Sequence, residues 1–302
     1  MTLRGQRLIR ARHLAACNPA PNMKDIRIAT AIFNSPLNRI QDNLKRMASW
    51  VMAAKMQDAS LICFPELNIT GYSTHQDIKV SAEPIPGIIS RSLVQMAKRH
   101  QIVILAGQAE KDASGRVFAS HLVVRPDGAT GVYRKIHIAP AERDVFSPAN
   151  RVPLFDLQGI KIGIQLCYDA HFPELSTRMA VDGAEVIFMP HASPRGTPSE
   201  KFESWMRHLT ARAFDNGVFI VACNQTGKNK KGLDFPGIAA ILGPDGKIIA
   251  KTIDGKEGII TADLKSHDLS KIRRHHMRYF LPNRRPEIYR SKKRNGFKTF
   301  RS

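Results

Sequence analysis

The sequence predicts a single α/β domain that contains mixed β-sheets. Short apolar runs with strand-like spacing alternate with amphipathic helical segments along most of the chain. Pro-Asp-Gly turns at residues 126–128 and 244–246 each join two apolar runs, which indicates two β-hairpins among the alternating units. No linker divides the 302 residues, so we expect one domain.

Five strands and two helices are predicted for the first half of the chain. Apolar residues recur every three or four positions from Ile40 to Ala54, which predicts an amphipathic helix over residues 37–55. A second helix is predicted over residues 88–100. The strands are predicted at residues 26–33, 61–64, 102–106, 117–124 and 130–138.

The second half continues the alternation. Ile160, Ile162 and Ile164 alternate with Lys161 and Gly163, which predicts a strand over residues 160–166 with one buried face. Cys167 comes directly after this strand. The remaining predicted helices are 172–181 and 199–215, and the remaining predicted strands are 185–189, 218–223, 238–242 and 247–250.

The formal net charge of +20 is concentrated at the two ends of the chain. Residues 1–24 contain five Lys and Arg and no acid, and residues 271–302 contain twelve against the single acid Glu287. Residues 25–270 carry a formal net charge of only +4, which is ordinary for a globular domain. We therefore predict a disordered basic extension at 1–24, the domain at 25–270, and a basic C-terminal tail at 271–302.

Cysteine usage argues against disulfides and structural metal. Cys17, Cys63, Cys167 and Cys223 lie far apart, without the paired spacing of a zinc site. No apolar run is long enough to cross a bilayer, and residues 1–22 lack the apolar segment of a secretory signal. The sequence predicts a cytoplasmic protein that needs no metal or cofactor and does not contact a membrane.

Three ionisable residues stand just after or near the ends of predicted strands. Cys167 precedes the helix that Pro173 begins, a setting that suits a nucleophile, although a buried structural cysteine is the alternative. Glu66 follows a strand and a proline, where burial would raise its pKa toward that of a general base. Strand alternation places Lys135 opposite the predicted buried face of Ile136, so it needs an anionic partner if a second layer covers it.

Three motifs in this order resemble those of the nitrilase superfamily of carbon–nitrogen hydrolases, in its amidase and N-carbamoyl-hydrolase branch. They are Phe64-Pro-Glu66, Tyr133-Arg-Lys-Ile-His137 and Cys167-Tyr-Asp-Ala-His-Phe-Pro-Glu174. The resemblance covers most of residues 25–290. It implies a four-layer α-β-β-α sandwich, which gives Lys135 a second covering layer.

The resemblance also implies a catalytic triad of Glu66, Lys135 and Cys167, with Glu142 as a supporting glutamate. Glu66 would deprotonate Cys167, which would attack an amide or nitrile carbon and form a thioester intermediate. Lys135 and the backbone N–H of Tyr168 would stabilise the oxyanion. No metal or organic cofactor takes part.

The branch predicts a small linear amide or N-carbamoyl substrate, because Tyr168-Asp169 stands where nitrilases typically have Trp-Glu. Nitrile hydrolysis is the alternative. Tyr168, Asp169, His191 and Arg195 are predicted to bind substrate. Arg195 is a candidate partner for a substrate carboxylate, while an exposed loop arginine fits the sequence equally well.

Two rival functions stay open. A cysteine hydrolase with His191 or His208 as base and Asp215 as orienter is one, although the G-x-C-x-G elbow is absent around Cys167. The basic, aromatic tail favours nucleic-acid or acidic-partner binding only beside the enzyme. The resemblance further implies a homodimer or larger homo-oligomer through helices 172–181 and 199–215, with part of the tail at a subunit interface.

Overall fold

A computed structural model gives the structure of the chain and describes residues 23–229 and 232–289. Nearly all of the predicted basic extension at 1–24 lies outside the described residues, as does the end of the predicted tail at 271–302. The strands are β1 (Ile26–Ile32), β2 (Leu61–Cys63), β3 (Val103–Lys111), β4 (Val117–Val124), β5 (Thr130–Arg134), β6 (Phe155–Leu157), β7 (Ile160–Ile164), β8 (Val186–His191), β9 (Phe219–Asn224), β10 (Thr226–Lys228), β11 (Asp234–Pro236), β12 (Ala239–Leu242), β13 (Ile248–Thr252) and β14 (Gly258–Leu264).

Helices stand between many of these strands, as the alternating pattern predicts. They are α1 (Ile40–Met56), α2 (Ile88–His100), α3 (Pro173–Val181), α4 (Pro198–Asn216), α5 (Ser266–Arg273) and α6 (Pro286–Tyr289). Helix α4 begins at a capping box. The Thr197 hydroxyl accepts a hydrogen bond from the Glu200 backbone N–H, and the Glu200 carboxylate accepts one from the Thr197 backbone N–H. It ends at Gly217, whose φ of 56° is the left-handed conformation that glycine adopts without strain.

Two six-stranded mixed sheets share one pairing pattern. The first sheet has the order β14-β1-β2-β3-β4-β5, and the second has the order β6-β7-β8-β9-β12-β13. In each sheet the second, third and fourth strands are parallel to one another. Every other pair of adjacent strands is antiparallel. Both Pro-Asp-Gly turns form the predicted hairpins, β4–β5 and β12–β13.

Burial alternates along the strands of the first sheet and separates two layers of core. Ile28 and Cys63 pack toward residues of the second sheet such as Val221. Their neighbours Ala29 and Ile62 pack on the opposite face, where α1 and α2 cover the sheet. Helices α3 and α4 cover the second sheet, with their buried residues in the same core as its strands. The predicted four-layer α-β-β-α sandwich is therefore confirmed.

One strand ends earlier than predicted. The periodicity of residues 130–138 indicates a single strand, but β5 ends at Arg134, and Ile136 and Ile138 are only half-buried. The buried face is the one that holds Tyr133 and Lys135, both 0% exposed. The reason is tertiary: the Tyr133 hydroxyl donates to Asp169 beyond the second sheet's β7, so this face points between the sheets.

The C-terminal part of the described chain packs on the domain. Helix α5 runs through residue 270, where the sequence suggests a boundary. Arg273 is buried and donates to the backbone oxygens of Gly217 and Ala184. Tyr279 and Leu281 belong to the main core. A role for this segment at a subunit interface stays a prediction.

Candidate active site

Chain segments that follow strands of both sheets meet at one end of the sandwich. Glu66 lies just after β2, and Lys135 directly follows β5. Glu142 ends a short 3-10 turn, Pro140–Glu142. Cys167 begins another 3-10 turn, Cys167–His171, after β7. Residues far apart in sequence meet here because the strands before Glu66 and Cys167 lie in the parallel core of each sheet.

A buried lysine joins two buried carboxylates. Lys135 Nζ lies 2.8 Å from Glu66 Oε1 and 2.9 Å from Glu142 Oε1. Lys135 and Glu66 are 0% exposed, and Glu142 is 2% exposed. Charged groups this deep in a protein are stable only when they are paired and hydrogen-bonded, so the three side chains depend on one another.

Both carboxylates also accept hydrogen bonds from groups other than Lys135. The Tyr72 hydroxyl donates to Glu142 Oε1 over 2.9 Å, and the Ala139 N–H donates to Glu142 Oε2 over 3.1 Å. The Ala192 N–H donates to Glu66 Oε2 over 3.1 Å. These bonds hold Glu66 from the first sheet against a loop that follows β8 of the second.

Burial and charge set the protonation of the cluster. Burial raises the pKa of Glu66 to about 7, with the charge of Lys135 opposing the shift and that of Glu142 adding to it. Burial acts to lower the pKa of Lys135, but the charges of Glu66 and Glu142 outweigh it and hold that pKa well above its usual value. Lys135 therefore stays cationic, while Glu66 exchanges a proton near neutral pH.

Cys167 is half-buried beside this cluster. Its φ of 43° is rare for a residue with a Cβ and marks a strained turn, a feature that concentrates at functional sites. Burial and the charge of Glu66 raise the pKa of the Cys167 thiol, while Lys135 and the Ala192 N–H act to lower it. The resting thiol is therefore protonated, and the base that could accept its proton is adjacent.

Asp169 was predicted to bind substrate, and the structure gives it another task. It is fully buried, and its two oxygens accept hydrogen bonds from Tyr133, His137 and Leu166 at 2.8–3.1 Å. With its acceptor positions occupied, the carboxylate ties the turn after β7 to the segment after β5. Asp169 thus links the turn that carries Cys167 to the segment after Lys135, and its role in substrate binding stays a prediction.

His191 was also predicted to bind substrate, but it faces the core. It is buried, its Nδ1 lies 2.7 Å from the Met189 oxygen, and its ring packs 4.3 Å from that of Trp205 in α4. Burial lowers the pKa of His191 well below its usual value, so it stays neutral. These contacts satisfy the histidine within the core, and its predicted contact with substrate stays a prediction.

The rival triad with His208 and Asp215 is not assembled. Burial lowers the pKa of His208 to about 4, and its ring packs on that of His171 at 4.6 Å. Asp215 is exposed on α4. Among residues 23–229 and 232–289, no hydrogen bond joins Cys167 to a histidine, whereas the charge of Glu66 does act on the pKa of the thiol.

The other two predicted substrate residues lie at the rim. Tyr168 is half-buried, with its ring 5.4 Å from that of Phe172. Arg195 is exposed, has a φ of 72°, and donates its backbone N–H to the Asp234 oxygen over 2.8 Å. Both positions are open enough to contact a substrate.

Sequence reasoning missed three participants. Tyr72 donates to Glu142, and the only sequence signal for it was its place in the short segment after Glu66. The Ala192 N–H donates to Glu66, and a backbone contact of this kind cannot be predicted from the residue type. Lys201, in the first turn of α4, reaches back to the loop after β8.

Two features are absent from the described part of the chain. No group of three His, Cys, Asp or Glu side chains there could hold a metal ion. No helix of residues 23–229 and 232–289 has the length and apolarity needed to span a membrane.

Comparison with known proteins points to one family. The model of the carbon–nitrogen hydrolase family matches residues 27–274. A probable nitrilase of Schizosaccharomyces pombe is 30% identical over 257 residues, which cover 83% of this chain and 92% of that protein. An (R)-stereoselective amidase of a Pseudomonas species is 32% identical over 209 residues, covering 68% of this chain and 73% of the amidase.

Solved structures with a similar fold belong to the same family. The crystal structure of Saccharomyces cerevisiae Nit3, a member of branch 10 of the nitrilase superfamily, matches with a TM-score of 0.77 and 25% identity. The match covers 86% of this chain and 99% of Nit3. The sandwich of two sheets between helices is thus that of known carbon–nitrogen hydrolases.

Proposed function

Because the chain belongs to the carbon–nitrogen hydrolase family, we propose that it hydrolyses a small amide through a thioester on Cys167. The observation that carries this proposal is that Cys167, whose backbone has a positive φ, is paired with a buried Glu66 whose pKa is about 7. A base with a pKa near the working pH is present in its active form and still accepts a proton readily.

The first half of the reaction forms the thioester. The Glu66 carboxylate takes the thiol proton, and the Cys167 sulfur attacks the amide carbon. Negative charge then develops on the amide oxygen, where the Lys135 ammonium and the Tyr168 N–H are the donors we assign. The C–N bond breaks as Glu66, now a carboxylic acid, protonates the departing nitrogen, and ammonia or an amine leaves.

The second half regenerates the enzyme. Glu66 takes a proton from water, the resulting hydroxide attacks the thioester carbon, and the C–S bond breaks. The thiolate recovers a proton through Glu66, and the acid leaves. Glu142 keeps Lys135 in place over 2.9 Å and balances its charge, which leaves the ammonium directed at the reacting oxygen.

Product release from a substrate panel tests the proposal. Wild type and Cys167→Ala are compared on linear amides, N-carbamoyl compounds and nitriles, with ammonia and a trapped acyl-enzyme as readouts. Only wild type should release ammonia from amides and gain the acyl mass. Cys223→Ala, which removes a buried thiol from β9, is the control and should retain turnover. Equal release of ammonia by wild type and Cys167→Ala contradicts the proposal. Turnover of nitriles alone would assign nitrile hydrolysis in place of amide hydrolysis.

The assembly and its compartment belong to the same proposal. Exposed Val181 on α3 and Phe214 on α4 lie on the helices that cover the second sheet, which supports association of two copies there. Free Cys63, Cys167 and Cys223 suit a reducing cytoplasm. Light scattering should show a dimer or larger, and cell fractionation should recover the protein with cytoplasmic markers; a monomer contradicts the first statement.

A further inference from the structure

A cavity lies on the outer face of the first sheet, away from the catalytic residues. Its volume is about 620 Å³, within the range of roughly 300–1,000 Å³ that small-molecule sites occupy. Val132 and Arg134 of β5 line it, and Val132 also packs against the core beneath α1 and α2. The next residue, Lys135, faces the space between the sheets, because side chains alternate along a strand. None of the residues assigned to catalysis lines this cavity.

One wall of the cavity is a polar network around an aromatic ring. Glu110 on β3 is 2% exposed and accepts hydrogen bonds from Ser120 Oγ over 2.6 Å and from Arg134 Nε over 2.8 Å. The guanidinium carbon of Arg134 lies 4.5 Å from the centre of the Phe118 ring, and that of Arg116 lies 5.3 Å from it. Both guanidiniums are therefore held in place before any ligand arrives.

The lining of the cavity carries an excess of positive charge. Of the described residues that line it, three are arginines, Arg116, Arg134 and Arg151, and Glu110 is the one acid. Asp112 balances Arg116, whose Nε and Nη2 lie 3.0 and 2.8 Å from Asp112 Oδ2. Arg151 forms no ion pair and no hydrogen bond within residues 23–229 and 232–289. One guanidinium is thus left for an anion, which it can bind through two parallel hydrogen bonds.

The rest of the lining is largely apolar. Ile85, Val132, Pro148 and Pro153 contribute hydrocarbon surface, and Asn150 contributes an amide. Apolar surface favours a ligand that removes it from water, whereas the guanidinium favours a ligand that carries negative charge. A molecule with only one of these features leaves part of the cavity unused.

We propose that this cavity binds an organic anion, in which a carboxylate or phosphate group is attached to an apolar body. Arg151 binds the anionic group, and the apolar walls cover the body. This site is separate from the site of the proposed amide hydrolysis. Binding can therefore be measured without reference to turnover.

The alternative is a surface cavity that holds only solvent, with its arginines in structural ion pairs. Arg134 and Arg116 fit that alternative, because each already has a carboxylate partner. Arg151 does not fit it, since its charge is exposed and balanced by no group of the described chain. Arg151 is therefore the residue at which the two readings differ.

Four probes separate the contribution of charge from that of apolar surface. Naphthoate and naphthyl phosphate carry both features, naphthol is the neutral aromatic, and inorganic phosphate is the anion without an apolar body. In calorimetric titrations of the full chain, naphthoate or naphthyl phosphate should bind about tenfold or more tightly than naphthol and inorganic phosphate do. The tighter of the two aromatic anions identifies the anionic group, and its affinity should fall as salt is added. Binding of neither aromatic anion, or equal affinity for naphthol, overturns the proposal.

Three variants locate the bound probe. Arg151→Glu should weaken binding of the tighter aromatic anion about tenfold or more. Its urea midpoint should match that of wild type, because Arg151 has no partner to lose. Arg207→Glu, at an exposed arginine of α4, is the matched control and should bind as wild type does.

Cys167→Ala should also keep the wild-type affinity, because the catalytic residues do not line the cavity. Unchanged binding by Arg151→Glu, or loss of binding in Cys167→Ala, overturns the proposal. The second result would place the probe at the catalytic site.

Discussion

The two sheets of this protein have the same strand pairing but contribute different parts of the site. The first sheet supplies Glu66, Lys135 and Glu142, three charged side chains that are at most 2% exposed. The second sheet supplies the half-buried thiol of Cys167 and a loop that ends in the first turn of α4, with the half-buried Lys201. One half of the site is closed to water and the other half is open to it.

This difference assigns the reaction steps to the closed half of the site and substrate preference to the open half. Charges buried in the first half interact strongly with each other, so their geometry is fixed before substrate arrives. Groups at the rim of the second half remain solvated, and they can respond to what a substrate carries. Changes in the closed half should therefore alter turnover of every substrate and the stability of the fold, whereas changes in the open half should alter preference.

The largest effect should come from Lys135→Met. The variant leaves Glu66 and Glu142 buried without a cation, which should lower the free energy of unfolding by about 3–5 kcal/mol and turnover by about a thousandfold. Urea unfolding measures the loss, with Lys161→Met, an exposed lysine of β7, as the control. A loss below about 1 kcal/mol would break the contrast between closed and open halves.

The same variant should depend on pH in a defined direction. Burial raises the pKa of Glu66 and Lys135 opposes that shift, so without Lys135 the Glu66 carboxylate retains a proton in the folded state that it loses in the unfolded state. The folded state then binds more protons above the unfolded pKa, so stability falls as pH rises. Urea midpoints measured from acid to neutral pH should decline more steeply for Lys135→Met than for wild type.

The next effect concerns the pH profile of turnover. Glu66 acts as a base only when deprotonated, and its pKa is about 7. We expect kcat/KM to fall about tenfold for each pH unit below that value. Glu66→Gln should lower kcat/KM by about a hundredfold or more and abolish this acidic limb, whereas Glu174→Gln, an exposed glutamate of α3, should keep it. An unchanged acidic limb in Glu66→Gln would falsify the assignment of Glu66 as the base.

A smaller effect is expected at Tyr72, whose hydroxyl donates to Glu142 alongside Lys135 and the Ala139 N–H. Tyr72→Phe removes the bond to Glu142 and leaves an oxygen without that donor, which should lower the free energy of unfolding by about 1–2 kcal/mol. Thermal unfolding measures this change. Tyr289→Phe, at an exposed tyrosine, serves as the comparison and should show no shift.

The smallest effect should come from Arg195 in the open half. Its side chain is exposed, so salt screens its attraction for an anionic substrate. Arg195→Gln should reduce the preference for a carboxylate-bearing amide over the matching diamide by about threefold or less at low salt, with no change in stability. Competition between succinamate and succinamide measures the ratio directly. A loss of about tenfold or more would contradict the expectation that solvent screens the charge of Arg195.

Much of the fold was readable from local pattern. The residues of α2 and β4 were predicted to the residue, and both hairpins follow from Pro-Asp-Gly, which fixes a tight turn locally. Strands β6, β10, β11 and β14 were missed. Strand β14 pairs with β1 across more than two hundred residues, and a contact of that separation leaves no mark on local spacing.

Site residues show the same division. Glu66, Lys135 and Glu142 were predicted from motifs, and the structure brings them together around one ammonium. Asp169 and His191 were assigned to the substrate because of their position near Cys167 in the sequence or fold. Their side chains instead point to Tyr133 and Trp205, since each group satisfies its hydrogen bonds or packing with the nearest partner across the sandwich.

By itself the sequence determined the alternation of helices and strands, the hairpins, and the residue types available for catalysis, because these depend on spacing along one segment. Only the tertiary structure decided that Lys135 is buried, that Glu66 titrates near neutral pH, and that Lys201 contacts the loop after β8. Apolar periodicity shows which face of an element turns inward, but burial and charge partners depend on what packs against that face.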